Sequence, residues 1–464
     1  MSNVHRLRRT DRILFVNVNL RPRIRRFHDS EYALLIALGF AFFAAPVLRA
    51  GHAPISLETA RGYFAEAQSL CEADHGQLWG VSLCGPIMFV DPNSRFIVAN
   101  QADSNGILRA EGGVFTGTLP LSQNVANTAV EWAGVHWTQM LWPLPEEVRA
   151  RDTLMAHELF HRIQGQLGLP QLKGGDNRQL DTLDGRYYLQ LEWRALARAL
   201  QASTSEDRRT AITDALVFRT ERYKLFPGAA TEEQALELNE GLAEYTGVKL
   251  GNPSPEEQVK FAIFDLTAQA SNSTFVRSFA YATGPAYGLL LDQSNPEWRR
   301  QIRQGSTFNS LLATSLGITP PANLEQAAVD RSAPYNGQAL KTAEIERETK
   351  RQQLIAKYRA QFVDGPTLTL PFRHMNVQFN PRNLQPLGEL GTVYPNMRIT
   401  DDWGILEATN GALMKPDWSA VIVRAPSIAT GSSVKGDGWT LELKPGWKLV
   451  PATRKGDFIL APGS

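Results

Sequence analysis

At 464 residues the chain is too long for one small core and is expected to fold as two or three domains. Its 48 Lys and Arg against 47 Asp and Glu leave a net charge of +1, which excludes recognition of nucleic acid or another polyanion through bulk charge. An apolar fraction of 43% with 20% charged residues excludes a disordered chain.

Residues 1–50 differ from the rest. Eight arginines (Arg6, Arg8, Arg9, Arg12, Arg21, Arg23, Arg25 and Arg26) face two acids, Asp11 and Asp29, in the first thirty residues. The uncharged run "YALLIALGFAFFAAPVL", residues 32–48, follows. A basic lead before an apolar run is the layout of a secretory signal, and also of a short membrane anchor. In both cases the arginines stay in the cytoplasm and the bulk of the chain is exported to the periplasm, the medium or the membrane surface. Cys71 and Cys84, the only cysteines, read either as a disulfide or as two buried thiols.

Residues 51–144 are expected to begin with a helix, "SLETARGYFAEAQSLCEAD", capped by Ser56. Short β-rich runs broken by Gly, Pro, Asn and Asp then predict a meandering antiparallel sheet, with His136 packed on an edge strand. Residues 145–364 read as mainly helical. The first helix spans 145–168, with Pro145 in its first turn, Glu146 and Glu147 at its positive end and a Gly168/Pro170 stop. Further helices are expected at 181–201, 205–224, 232–246, 276–293 and 339–362. Residues 365–464 return to β signals, including "TLTLPF", "WSAVIVRAP" and "WTLELKPGWKLV", and predict a separate β domain. The fold class is therefore α+β: a sheet, a mainly helical region and a C-terminal β domain. Asp401, Asp402 and Asp437 read as turn residues rather than calcium ligands.

"MAHELFHRIQ", residues 155–164, carries the chemistry. On a helix, His157 and His161 lie one turn apart on one face and can share one metal ion, while Glu158 points toward its open position. Met155, Leu159 and Ile163 form an i, i+4 row for the core. A catalytic zinc takes three protein ligands, and after His161 the only histidine is His374. A glutamate from a second helix is the other solution. "TEEQALELNEGLAEYTG", residues 231–247, supplies Glu240 and, one turn on, Glu244, with Thr231 and Gln234 at capping-box spacing. Glu192, on an apolar helix face in "YYLQLEWRALARAL", is the rival ligand, or a buried acid held by an arginine.

"LNEGLAEY" resembles the zinc-glutamate helix of gluzincin metallopeptidases, in particular the aminopeptidase N family, whose pattern is LNEG(F/W)AxY. The resemblance implies a thermolysin-like zincin region with one zinc per chain, held by His157, His161 and Glu240. It implies Glu244 as the carboxylate that orients a zinc histidine, and Glu158 as general base. "YATG", Tyr281–Gly284, resembles the family's Y-x-K-G segment, with Thr283 in place of lysine. That implies Tyr281 as the oxyanion donor, and Tyr287 is the alternative. Seventy-eight residues separate His161 from Glu240, more than the family's usual gap, and the amine-binding G-x-M-E-N segment is absent. The expected activity is thus hydrolysis of peptide or protein substrates, without an implied preference for chain ends. A binding or structural envelope protein with a vestigial zinc site is the alternative.

Overall fold

The computed structural model describes residues 55–120, 122–379, 384–430 and 432–463, together with a two-residue strand, Val18–Asn19. The apolar run 32–48 and the arginine-rich lead lie outside the described residues. Among those that are described, no helix is long and apolar enough to cross a membrane. The chain divides into two compact units, Ala33–Glu344 and Met1–Tyr32 with Ile345–Ser464. The architecture is α+β, with an N-terminal sheet, a central helical region and C-terminal sheets.

The first unit opens with α1, Leu57–Asp74, where Ser56 caps the helix by accepting from Thr59 N. Cys71, near the end of α1, is disulfide-bonded to Cys84, which ties the helix to the approach of the sheet. Six strands follow: β1 (Ile87–Val90), β2 (Phe96–Ala99), β3 (Arg109–Glu111), β4 (Val114–Thr118), β5 (Thr128–Trp132) and β6 (Val135–Leu141). Their order is β3-β4-β2-β1-β6-β5. The expected meander is broken at its centre, where β1 and β6 pair in parallel, Ile87 opposite Thr138. The β1–β2 hairpin leaves one edge of β1 open, and the chain returns to fill it after β3, β4 and β5. His136 therefore sits on an inner strand, and β5 is the edge. Alternation along β1 sends Ile87 and Phe89 toward the helices, while Met88 and Val90 join Trp132 and Trp137 on the other face.

Helix α2, Val148–Gln164, starts later than expected. Glu147 is its cap, accepting from Arg149 N and Ala150 N, so Pro145 precedes the helix and the regular turns end before Gly165. Met155, Leu159 and Ile163 are buried as their spacing requires. Then come α3 (Leu183–Gln201), α4 (Ser205–Leu225), α5 (Ala229–Leu236), α6 (Leu242–Gly251), α7 (Pro255–Gln269), α8 (Ser278–Ser294), α9 (Trp298–Arg303), α10 (Phe308–Leu316), α11 (Leu324–Arg331) and α12 (Gly337–Arg359). Thr231 does not cap α5. Gly228, at φ 94°, begins that helix, and Thr231 lies inside it. Between α5 and α6 the chain widens into one π turn, Glu237–Gly241.

Two glycine seams set the helix spacing around α6. A Cβ on Gly247 would lie 2.6 Å from Thr153 O, and one on Gly251 would lie 2.5 Å from Thr153 N, so α6 packs directly on α2. A Cβ on Gly284 would lie 2.1 Å from Gly241 O, so α8 lies against the π turn.

In the second unit two seven-stranded sheets enclose a core that includes Leu368, Val377, Ile399, Trp403, Leu406, Val421 and Leu441. The three predicted β stretches are Thr367–Pro371, Ala420–Arg424 and the pair Trp439–Leu443 and Trp447–Pro451. Asp401, expected in a turn, is instead the buried last residue of the strand Met397–Asp401 and accepts from the backbone N–H groups of Arg373 and His374, whereas Asp402 lies in the turn that follows and Asp437 in the turn between Ser433–Gly436 and Trp439–Leu443.

Candidate metal centre

The seams bring α2, the π turn, α6 and α8 together around two imidazoles. His157 Nε2 and His161 Nε2 are 3.1 Å apart, and Glu240 Oε2 lies 3.6 Å from the first and 3.5 Å from the second. These residues form the one group of three or more His, Cys, Asp or Glu, among the described residues, whose atoms converge closely enough to hold a metal ion. In a tetrahedral site with ligands at about 2.0–2.1 Å, ligand atoms lie roughly 3.3 Å apart. The three observed edges bracket that value, so the donors suit zinc in type and in spacing.

Each imidazole is oriented from behind. His157 Nδ1 is 2.7 Å from Glu244 Oε2, which places its N–H there and turns the Nε2 lone pair toward the centre. His161 Nδ1 is 3.0 Å from Gln164 Oε1, and Gln164 Nε2 donates to Leu238 O at 3.0 Å. That second bond fixes the amide so that its oxygen faces the histidine. Gln164, one turn after His161, was not singled out from the sequence, although its spacing was a usable signal.

Glu158 is 3% exposed, and its Oε2 has no hydrogen-bond partner in the protein. Burial raises its carboxyl above the ordinary range. An acceptor left unmatched beside the convergent ligands is what a base for a small donor requires. At His157 burial opposes protonation, yet the adjacent carboxylates of Glu240 and Glu244 outweigh it and lift the pKa to about 10. Burial also opposes ionisation at Glu240, but the neighbouring imidazoles of His157 and His161 hold it well below the usual carboxylate range. Three carboxylates thus surround the imidazoles, and the centre stabilises positive charge, whether protons or a divalent cation.

Tyr281 joins the cluster. Its hydroxyl donates to Glu240 Oε2 at 2.7 Å, and its ring stacks on His157 at 5.6 Å between centroids. Arg277, not anticipated from the sequence, donates from Nη2 to Glu240 Oε1 at 3.1 Å. Glu240 is therefore gripped at both oxygens.

Glu192 and Tyr287 lie elsewhere, in a buried ion-pair network. Glu192 accepts from Arg219 Nε at 2.8 Å, Arg222 Nη1 at 2.7 Å and the Tyr287 hydroxyl at 3.0 Å. Arg222 also donates to Glu233 Oε2 at 2.7 Å, and Arg219 to Glu237 Oε1 at 2.6 Å. All five ions are at most 2% exposed. The network anchors the π turn through Glu237, three residues before Glu240. His136 is tied to Glu131 across the β5–β6 hairpin at 2.7 Å and to Arg162 O at 3.1 Å.

No protein-family model matches the chain, and no similar curated protein or solved structure was found.

Proposed function

We propose that this protein is an exported zinc-dependent metallopeptidase of gluzincin type, with His157, His161 and Glu240 as the zinc ligands. The observation that carries the reading is the convergence of two Nε2 atoms and one carboxylate oxygen on edges of 3.1–3.6 Å, beside the unpaired buried oxygen of Glu158. Zinc, when bound, supplies a Lewis acid that polarises a peptide carbonyl and acidifies a water molecule.

The remaining work falls to the chain's own residues. Glu158 accepts the proton of the attacking water at its free Oε2 and passes it to the departing amine. Its raised pKa suits this role, since the base must take up a proton and later release it. Glu244 and Gln164 hold the imidazoles so that both lone pairs face inward. Tyr281 brings a hydroxyl to the same point and donates to the oxyanion as the carbonyl becomes tetrahedral. The edge strand β5 offers unpaired backbone groups to an extended peptide.

Export is supported by the arginine-rich lead and the uncharged 32–48 run, and by the Cys71–Cys84 disulfide, a bond at home in oxidising compartments. A reporter fused after residue 60 should be active only outside the cytoplasm.

The deciding experiment is Glu158→Gln. The variant should retain about one zinc per chain by metal analysis, because no ligand is touched, yet lose nearly all hydrolysis of a peptide library. Parental rates in that variant would remove the enzyme reading and favour a binding protein with a vestigial site.

A further inference from the structure

Arg277 is the N-cap residue of α8, one turn before Tyr281. It makes no side-chain cap hydrogen bond; its guanidinium reaches out to Glu240 instead. A guanidinium carries five N–H donors in a planar fork. Here Nη2 serves Glu240 Oε1, whereas Nε is buried and has no hydrogen-bond partner. The side chain is nevertheless 38% exposed, far more than the 10% of its partner Glu240.

Two features make this more than a clamp on a ligand. Glu240 Oε2 already faces the histidines and receives the Tyr281 hydroxyl, so the carboxylate is oriented without Arg277. Nη1, unlike Nε, is not buried and makes no hydrogen bond to the protein, so the guanidinium keeps N–H groups open to an arriving acceptor. The acceptor that suits a guanidinium fork is a carboxylate, which takes two parallel N–H bonds.

Resting on the peptidase reading, we propose that Arg277 binds a substrate carboxylate adjacent to the scissile bond. It is a substrate-binding residue that selects peptides acidic at that point. Arg277 and the ligand histidines contact opposite oxygens of one carboxylate, and consecutive Cα atoms are about 3.8 Å apart. The group it reads therefore lies within about one residue of the reacting carbonyl. Two sources share this chemistry, the α-carboxylate of a peptide's last residue and the side chain of Asp or Glu.

The test measures binding, not turnover. Zinc-loaded Glu158→Gln protein is titrated calorimetrically with two pairs of short peptides. One pair differs as C-terminal acid against amide, with neutral side chains. The other differs as Glu against Gln at an internal position, with both ends blocked. One pair should show preference for the acid by roughly 10- to 150-fold, the range for hydrogen bonds to charged groups, and which pair does so identifies the source. Adding Arg277→Gln should bring that ratio to about one, with zinc content unchanged. Arg277→Lys, which keeps the charge and loses the fork, should restore part of it. No preference in either pair, or a preference that Arg277→Gln leaves intact, overturns the proposal. So does equal weakening of acid and amide peptides together with zinc loss, because Arg277 would then only hold Glu240. Failure of the peptidase reading has a different signature, a parent protein that binds no zinc or hydrolysis that survives Glu158→Gln.

Discussion

Replacing Gly284 by alanine tests whether the close approach of α8 to the π turn positions the metal centre. The new Cβ would sit 2.1 Å from Gly241 O and 2.4 Å from Gly241 Cα, where ordinary contact begins at 3.4 Å. Both neighbours are backbone, so relief requires the two elements to separate by about 1 Å, because no flexible side chain can yield. The Tyr281 hydroxyl donates to Glu240 Oε2 at 2.7 Å, and a shift of that size takes it past the range of a useful hydrogen bond. Overpacking of this kind costs about 1–3 kcal/mol. Loss of a partner behind a metal ligand costs roughly 10- to 100-fold in metal affinity. Urea unfolding of metal-stripped protein reads the first quantity, and competition against a chromogenic zinc chelator reads the second. Gly165→Ala is the control, since Gly165 has φ −61° and nothing within 4 Å of an added Cβ. If Gly284→Ala unfolds within about 0.5 kcal/mol of the parent and holds zinc as tightly, the seam does not position the centre.

Other expectations separate the buried acids by role. Glu240→Ala and His161→Ala should each lose zinc, whereas Glu192→Ala should keep it by metal analysis while losing about 3–5 kcal/mol of stability, because two buried arginines lose a partner. Tyr281→Phe should still bind about one zinc per chain, though roughly 10- to 100-fold less tightly, and when zinc-loaded should lower kcat by roughly 10²–10³-fold with little change in KM; a change confined to KM would make it a substrate-positioning residue. Asp152 on α2 is raised from 3.8 to about 7, by burial first and then by Glu66. The folded state keeps a proton that the unfolded chain releases near pH 4, so the stability this group contributes is full below about pH 4 and lost as pH rises through 7. Asp152→Asn should therefore stabilise the protein at pH 8 by on the order of 1–3 kcal/mol and hardly at all at pH 4, read by urea melts at both values.

The features legible in the sequence are the local ones. His157, Glu158 and His161 lie within one turn, so helical spacing alone places them on one face. Glu240 was reachable because the acid and its flanking small residues sit in one short segment. Glu192 announced itself as a charge on an apolar face, and its arginine partners lie 27 and 30 residues on. Arg277 carried no such mark, since its partner is 37 residues back and only the Gly241–Gly284 contact brings the two together. Helix α7 had legible signals in Ser254, which accepts from Glu257 N, and in Pro255 at its first turn, yet it was missed for want of a clear apolar stripe. The parallel β1–β6 pairing was invisible because strand order depends on which edges remain open, a property of the assembled sheet.

The π turn between α5 and α6 is in effect a one-residue insertion in a longer helix. Its wider turn absorbs the added residue, so the helical turns on either side stay in phase while Glu237 to Gly241 spread over a broader arc. Glu237 answers to Arg219 on one side, while Glu240 and Glu244 answer to the histidines on the other. Delete Asn239 and the segment can close into regular α-helix, with α5 and α6 near their present phase and Glu240, inside the turn, re-aimed relative to both. The Arg219 pairing and the Glu244 contact would then survive, and the lesion would fall on the proposed ligand Glu240. Length at this point thus aims one side chain, and the deletion should weaken zinc binding while leaving the fold in place.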